Sequence, residues 1–489
     1  MSFLDNWKGL GGVSARVSIA RDNAARVEQY MRGWDAFLGR QPDTLKVDPV
    51  TKVDHNVKVN YPKLIVDVGV TALFGQEPIW EADTGGIRGQ RVTSAATEYL
   101  DKVWDANKKM ILLQRVAQNG GVCGHCFIRI LAPKAGEVYP RLVNMSPEYV
   151  RVVVDPEDID DVQAYIIEYD AVDEWGRNIS VRTEISRHGA VWQVIEETRR
   201  GDSTNQPTPN SKPETRREVW PYSWAPMIDC QNLPLANSYY GLSDIEGDVL
   251  DLGNAINFIA SNIRRIIYYH AHPKPWGSGF STKEISASPN EMLIFGNPEA
   301  KLQNLEMSGD LSSSMEYYKT LQGALFDVAR LPAVATGHLE KAGDLSGTAM
   351  QIAYRPLTSM IEQKRLTYGE MLSTLNKRLL EMGGIVLAED EIVSIQWPEV
   401  LPVNTLEERQ VALIDQQLGV SQDTLLWKFG YDAEQEKEKR AEEDAQAMEQ
   451  QAKIFDAGMG DAAGAYDEGR ATNRGGDRST ARSNASSIA

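Results

Sequence analysis

The sequence predicts an α+β protein that is predominantly helical, and three observations predict it. Apolar residues recur at helical spacing in several long stretches, most regularly from Ile245 to Ile266. Six short β-rich runs, CFIRIL, YPRLVNM, YVRVVVD, AYIIEYD, ISVRTEI and AVWQVIEE, follow one another between residues 126 and 197. These runs come as a block instead of alternating with helices, which separates α+β from a parallel α/β pattern. With 489 residues the chain has room for about two to four units.

Taken in order, residues 24–38 read as one amphipathic helix with Val27, Tyr30, Met31, Trp34, Phe37 and Leu38 on its apolar face. Residues 93–116 read as one or two more helices, through Ala96, Tyr99, Leu100, Val103, Trp104, Ile111, Leu112 and Val116. Asn119-Gly120-Gly121 reads as a turn leading into the β-rich block, an antiparallel sheet whose runs are separated by Pro133, Gly136, Asp155, Pro156, Gly176 and Gly189. Residues 199–218 have almost nothing apolar and are expected to be an exposed loop.

Ile245, Val249, Leu252, Ile256, Ile259, Ile263 and Ile266 keep an a/d pattern over three heptads, so this helix should pack lengthwise against others. Asp244, Glu246, Asp248 and Asp251 lie near its start and Arg264 and Arg265 near its end, a polarity that suits the helix dipole. The Pro-rich HPKPWG ends it. Residues 277–309 read as a small insert with one or two strands, and 312–330 as a second helix presenting Met315, Tyr318, Leu321, Leu325 and Val328. A glycine-punctuated loop, 331–346, precedes a very long helix capped by Ser346, kinked at Pro356 and ended by Gly383-Gly384. A strand, EIVSIQW, and helices at 405–418, 421–429 and 432–455 follow, and 457–489 are expected to be disordered.

The formal net charge of −18 argues against a surface built to grip nucleic acid. No run approaches the roughly 18–20 apolar residues of a membrane span, so no membrane partner is expected. Three cysteines fit a reducing compartment, and the start lacks a secretory pattern, so the chain is expected to stay in a cytoplasm. No Walker A loop, G-x-S-x-G or H-E-x-x-H occurs, so neither catalysis nor a cofactor is expected. Cys123-Gly124-His125-Cys126 leaves one chemical alternative, a cytoplasmic thiol oxidoreductase. Its context runs against that, with helix before and strand after instead of strand then helix. A zinc site would need further ligands; Cys230 and His188 are candidates without motif spacing. A helical oligomeric scaffold without DNA is the other alternative.

From residue 240 to about 448 the chain resembles the portal proteins of tailed bacteriophages, of the siphophage head–tail connector type. The resemblance rests on YYGLSDIEGDVLDLGNAINFIASNIRRI, the Pro/Gly-rich insert, EYYKTLQGALFDVARLPAVATG, DLSGTAMQIAYRPLTSMIEQKRLTYGEML and LGVSQDTLLWKFGYDAEQEKEKRAEEDA. It implies a ring of about twelve copies at one capsid vertex, made in the host cytoplasm and kept in the virion. Double-stranded DNA would be its translocated cargo. The partners implied are the terminase large subunit, a head-completion adaptor and the major capsid or scaffolding protein. By resemblance, 1–242 would be the wing, 243–269 and 312–330 the stem helices, and 270–311 the clip. Residues 331–346 would be the tunnel loop, 347–404 the kinked helix and return strand of the wing, and 405–456 the crown. Thr336, His338, Glu340, Lys341 and Asp344 would face DNA. Arg264, Arg265, Asp248 and Asp251 would meet neighbouring stems, and Lys274, Trp276 and Phe280 would dock partners. Twelve copies at −18 each would place roughly −216 around one axis, which suits a conduit that touches DNA without holding it.

Overall fold

A computed structural model describes residues 13–47, 49, 52–83, 95–200, 213–271, 275–279, 299, 301–304, 311–332, 335, 347–385, 392–400, 405–429, 436–443, 445, 446 and 448. The chain divides into two compact units, Met1–Pro402 and Val403–Ala489.

The first unit begins with helices α1 (Val13–Phe37) and α2 (Tyr61–Phe74), strand β1 (Ile79–Asp83), and helices α3 (Ala95–Ala106) and α4 (Lys109–Cys123). The expected helical stretch from residue 93 is two helices, because Lys108 adopts a left-handed conformation, φ 55°, between them. On α1, Tyr30 and Phe37 are buried as expected, but Met31 and Leu38 face outward. Their spacing alone put them on the apolar face; the neighbours that α1 meets within this chain do not reach that far round it.

Next come β2 (His125–Leu131), β3 (Arg141–Met145), β4 (Val150–Val154), β5 (Val162–Val172), β6 (Asn178–His188), β7 (Val191–Arg200), β8 (Glu214–Trp220) and β9 (Met227–Gln231). The expected single sheet is two: a three-stranded sheet in the order β3-β2-β9 and a five-stranded meander β4-β5-β6-β7-β8. Strand β2 lies between two layers. Cys126, Ile128 and Ile130 join the core built with the helices, whereas Phe127 joins Val150, Tyr165, Ile167, Ile185 and Met227 under the meander. That is the period of two of a strand buried on both faces. The expected exposed loop at 199–218 is also corrected at its ends. β7 runs to Arg200 and β8 starts at Glu214, paired from Thr198↔Glu214 to Trp192↔Trp220. A solvated edge strand needs no apolar alternation, because ladder hydrogen bonds and not burial hold it. Residues 201–212 lie outside the described residues.

Helices α5 (Asp248–Ala271) and α6 (Leu311–Val328) flank the short strands β10 (Pro275–Ser278) and β11 (Lys301–Asn304), which pair antiparallel. Helix α7 (Gly347–Met382) and strand β12 (Ile392–Gln396) complete the unit, β12 pairing antiparallel with β1. The second unit contains α8 (Thr405–Gln417) and α9 (Gln422–Lys428).

Helix α7 runs to its expected end. Gly384, φ 68°, closes it with Ile385 N donating to Leu380 O and Gly384 N to Glu381 O, the Schellman arrangement. Helix α7 continues through Pro356, and what changes there is burial. Ile352 is exposed, whereas Leu357, Ile361, Tyr368, Leu372, Leu375 and Leu379 form the centre of the main core.

Candidate functional site: helices α5 and α6 and their buried root

Helix α5 has three sides, each repeating at about seven residues. The apolar side is the expected heptad stripe, and its burial grades along the helix. Val249 and Ile256 are buried, Ile263 is 9% exposed, and Leu252, Ile259 and Ile266 are half-buried. Ile245 precedes the helix, which starts at Asp248 and not at residue 243, and it is buried in the root below. Helix α6 lies against this stripe. Its buried face is Leu325, Phe326 and Ala329 with Tyr318 and Leu321 half-buried, whereas the expected Met315 and Val328 point outward.

The second side is polar and binds Gln41 and residues 55–59 of the same chain. Asn257 Oδ1 accepts from Val59 N at 2.8 Å and Ser261 Oγ accepts from Val57 N at 2.9 Å. Arg264 Nη1 donates to Asn56 O at 3.1 Å, and Asn257 Nδ2 also bonds Gln41 Oε1. His55 packs on Tyr268 with ring centroids 4.8 Å apart. Asn257 and Ser261 are fully buried, so these bonds stand in for water along an extended segment that has no strand partner of its own.

The third side is Asp251, Phe258 and Arg265, seven residues apart and all exposed. It runs from acid through an aromatic ring to a base. Helix α6 leaves a matching outer stripe, Tyr317, Ala324 and Val328, in which Tyr317 and Val328 are about half exposed.

The root of α5 is a polar hub inside the main core. Asp244 and Lys364 form an ion pair at 2.6 Å with both side chains 2% exposed. Asp244 Oδ1 accepts from Asn232 Nδ2 at 2.9 Å, and Tyr368 OH donates to Asn232 Oδ1 at 3.2 Å. Asp244 N donates to Gly121 O at 2.8 Å. Three elements thereby meet at one residue: the end of α4, the lead into α5 and the middle of α7. The triplet Asn119-Gly120-Gly121 makes this possible, and it is the last turn of α4 instead of the expected turn between elements. A Cβ at Gly120 would run into the Tyr368 hydroxyl, and one at Gly121 would lie 3.0 Å from both Val66 and Asp244 Oδ2. Gly124, φ 80°, then turns the chain into β2 where its backbone meets residues 241–243.

Beside the hub, His125 Nε2 and Asp229 Oδ2 lie 2.8 Å apart, and Tyr165 OH donates to Asp229 Oδ1 at 2.7 Å. Tyr239 OH donates to the same carboxylate. Burial opposes ionisation of Asp229, but the His125 contact and the two phenols outweigh it and hold its carboxyl below the ordinary 3.8.

The thiols are not arranged as the CGHC motif suggests. Cys123 ends α4 and Cys126 lies in β2, where its sulfur is 3.3 Å from that of Cys230 on β9. Burial pushes the Cys123 thiol well above its usual range. Among the described residues no group of three or more His, Cys, Asp or Glu is placed to hold a metal, and no helix is long and apolar enough to cross a membrane.

The remaining predicted site residues fall as follows. Asp248 and Asp251 are exposed in the first turn of α5, and Arg265 donates to Asn262 in its own helix at 2.8 Å. Trp276 lies in β10 opposite Gln303. Thr336, His338, Glu340, Lys341, Asp344, Lys274 and Phe280 lie outside the described residues. The hub was missed from the sequence, although a signal for it exists. Leu357, Ile361, Lys364, Tyr368, Met371 and Leu375 alternate by four and three, and a lysine occupies one place in that apolar stripe.

The family model for phage portal protein, SPP1 Gp6-like, matches residues 19–450. The chain belongs to this family. It is a phage portal protein. No curated protein matches the chain. Among solved structures, this portal protein is similar to a chain of "Neck of native GTA particle computed with C12 symmetry", at 14% identity and TM-score 0.40, over 76% of this chain and 89% of that one. It is similar also to a chain of "Virion of native gene transfer agent (GTA) particle", at 14% identity and TM-score 0.39 over the same shares.

Proposed function

We propose that about twelve copies of this portal protein close into a ring at one capsid vertex and form the channel through which double-stranded DNA enters and leaves. The observation that carries this reading is the pair of uncovered stripes on the α5–α6 helices, Asp251–Phe258–Arg265 on one and Tyr317–Ala324–Val328 on the other. Two different stripes on one helix pair suit head-to-tail contacts, which close into rings when the rotation permits. In this reading 1–242 is the wing, 243–269 and 312–330 the stem, 270–311 the clip, and 405–456 the crown, with 347–404 linking wing and tunnel loop. Arg264, Arg265, Asp248 and Asp251 lie at or beside the subunit contact. Lys274, Trp276 and Phe280 belong to the clip, which meets the terminase large subunit and later the head-completion adaptor. The wing meets the major capsid or scaffolding protein. Assembly takes place in the host cytoplasm, and the protein carries out no catalysis of its own.

In this reading residues 331–346 are the tunnel loop, with Thr336, His338, Glu340, Lys341 and Asp344 facing the DNA. A net charge of −18 per copy repels phosphates, so contacts are weak and movement is not stalled. Lys341 makes a passing phosphate contact, and Lys341→Ala should therefore change the packaging rate and its salt dependence; no change would remove that role.

Negative-stain end views of the purified protein test the ring. Particles with a central hole are expected, and reversing charge at Arg264 and Arg265 together should give open or polydisperse rings. Compact particles without a hole would overturn the reading.

A further inference from the structure

The sulfurs of Cys126 and Cys230 lie 3.3 Å apart, and the two residues are directly opposed on neighbouring antiparallel strands, Cys126↔Cys230 in the β2–β9 register. Directly opposed residues in an antiparallel pair have Cα atoms about 4.5 or 5.5 Å apart, and both spacings fall within the range that a disulfide spans. Their side chains also leave the sheet on the same face. We propose that Cys126 and Cys230, and not the CGHC pair Cys123 and Cys126, form an oxidisable staple: dithiol where the chain is made, disulfide once the released particle meets an oxidising environment.

The reaction is thiol–disulfide exchange with a small disulfide as the oxidant. Cys230 is the half-buried member and Cys126 is fully buried, so Cys230 reacts first, as the nucleophile. The Cys230 thiolate attacks one sulfur of the small disulfide, expelling one small thiol and leaving a mixed disulfide. The Cys126 thiolate then attacks Cys230 Sγ and expels the second. Two protein thiols become one disulfide, and one small disulfide becomes two small thiols. Burial holds the Cys230 thiol well above its usual range, so the first step is slow, and the pair stays reduced through brief exposure.

The consequence lies in the hub. Asn232 follows β9 directly and holds both Leu242 O, at 3.1 Å, and Asp244 Oδ1; its own N–H donates to Gly124 O at 2.9 Å, one residue before β2. A covalent link between β2 and β9 two residues from Asn232 therefore locks the floor on which α5 and α7 meet. Cys123 cannot replace Cys126 in this role, because it ends α4 outside the ladder.

The test is mass spectrometry of the full-length protein after incubation with oxidised glutathione, with free thiols trapped by alkylation before digestion. The expected product has lost two hydrogens, and fragment spectra place the link between Cys126 and Cys230, with Cys123 alkylated. Cys123→Ser should still form the link, Cys230→Ser should abolish it, and oxidised wild type should melt several degrees higher than reduced protein. A link between Cys123 and Cys126, stable glutathione adducts without a link, or no change in mass would each overturn the proposal. Because the wild-type fragment spectra locate the bond, the outcome does not depend on the variants folding. The compartment argument rests on the portal reading, but the two fail separately: rings without the link reject the staple alone, and the link without rings rejects the channel alone.

Discussion

The two ends of α5 are built on opposite terms. At its root, Ile245, Val249 and Ile256 are buried by the chain itself, and the neighbouring carboxylate of Asp244 has a full set of partners. Toward its far end, Ile267 is half exposed and Ile259 and Ile266 are half-buried, although the heptad spacing does not change. The difference teaches that a heptad stripe states how much apolar surface a helix must bury, but not who buries it. The root is finished within one chain, whereas the far end of α5 is finished by neighbours in the proposed ring.

The largest expected effect breaks the root. Lys364→Met leaves Asp244 buried without its partner and should cost about 3–5 kcal/mol in denaturant unfolding, because an uncompensated buried charge is left behind. Adding Asp244→Asn should recover most of that loss. If the single change cost under about 1 kcal/mol, the root would not be the fixed end of the comparison.

A pair of substitutions two residues apart then sets root against stem. Ile256→Ala removes a fully buried side chain and should cost about 2–5 kcal/mol. Phe258→Ala should leave unfolding within about 0.5 kcal/mol while lowering the fraction of protein in rings, read by analytical ultracentrifugation. Equal effects of both on stability would erase the distinction between self-buried and neighbour-buried faces.

A smaller effect tests the close approach at the hub. Gly120→Ala should cost about 1–3 kcal/mol through collision with the Tyr368 hydroxyl, and Tyr368→Phe in the same chain should relieve part of it. Relief would separate a steric role of the glycine from a backbone one.

The smallest concerns acid. The Asp229 carboxyl titrates below its ordinary 3.8 in the folded protein, so the unfolded chain takes up the proton first as pH falls. Its contribution is therefore complete above pH 3.8 and is lost as pH drops through the lower folded value. Unfolding measured against pH should show this decline in wild type and lose it in Asp229→Asn. The decline should affect the packing around β2, β9 and the root, and not the proposed ring contacts of α5.

Much of the fold was legible in local pattern. The six β-rich runs, the heptad of α5 and the Gly383-Gly384 stop of α7 each follow from a period or a cap that neighbouring residues alone specify. Ends and faces were less legible. Met315 and Val328 share a helical period with Leu325, yet both point outward. Asn119-Gly120-Gly121 has the composition of a turn, and only the arrival of Tyr368 and Asp244 from distant elements explains why two glycines remain inside a helix. Strand β8 was missed because an exposed edge has no burial pattern to read.

The sequence by itself determined the class of elements, their order, the acidic balance and the family resemblance, since all of these are local or summed properties. Tertiary structure alone decided which residues meet. It paired Cys126 with Cys230 instead of Cys123, placed Lys364 on Asp244 across 120 positions, and gave the polar side of α5 to the extended residues 55–59. Such pairings depend on how layers stack and registers align, and no spacing along the chain encodes the distance between two residues brought together only by folding.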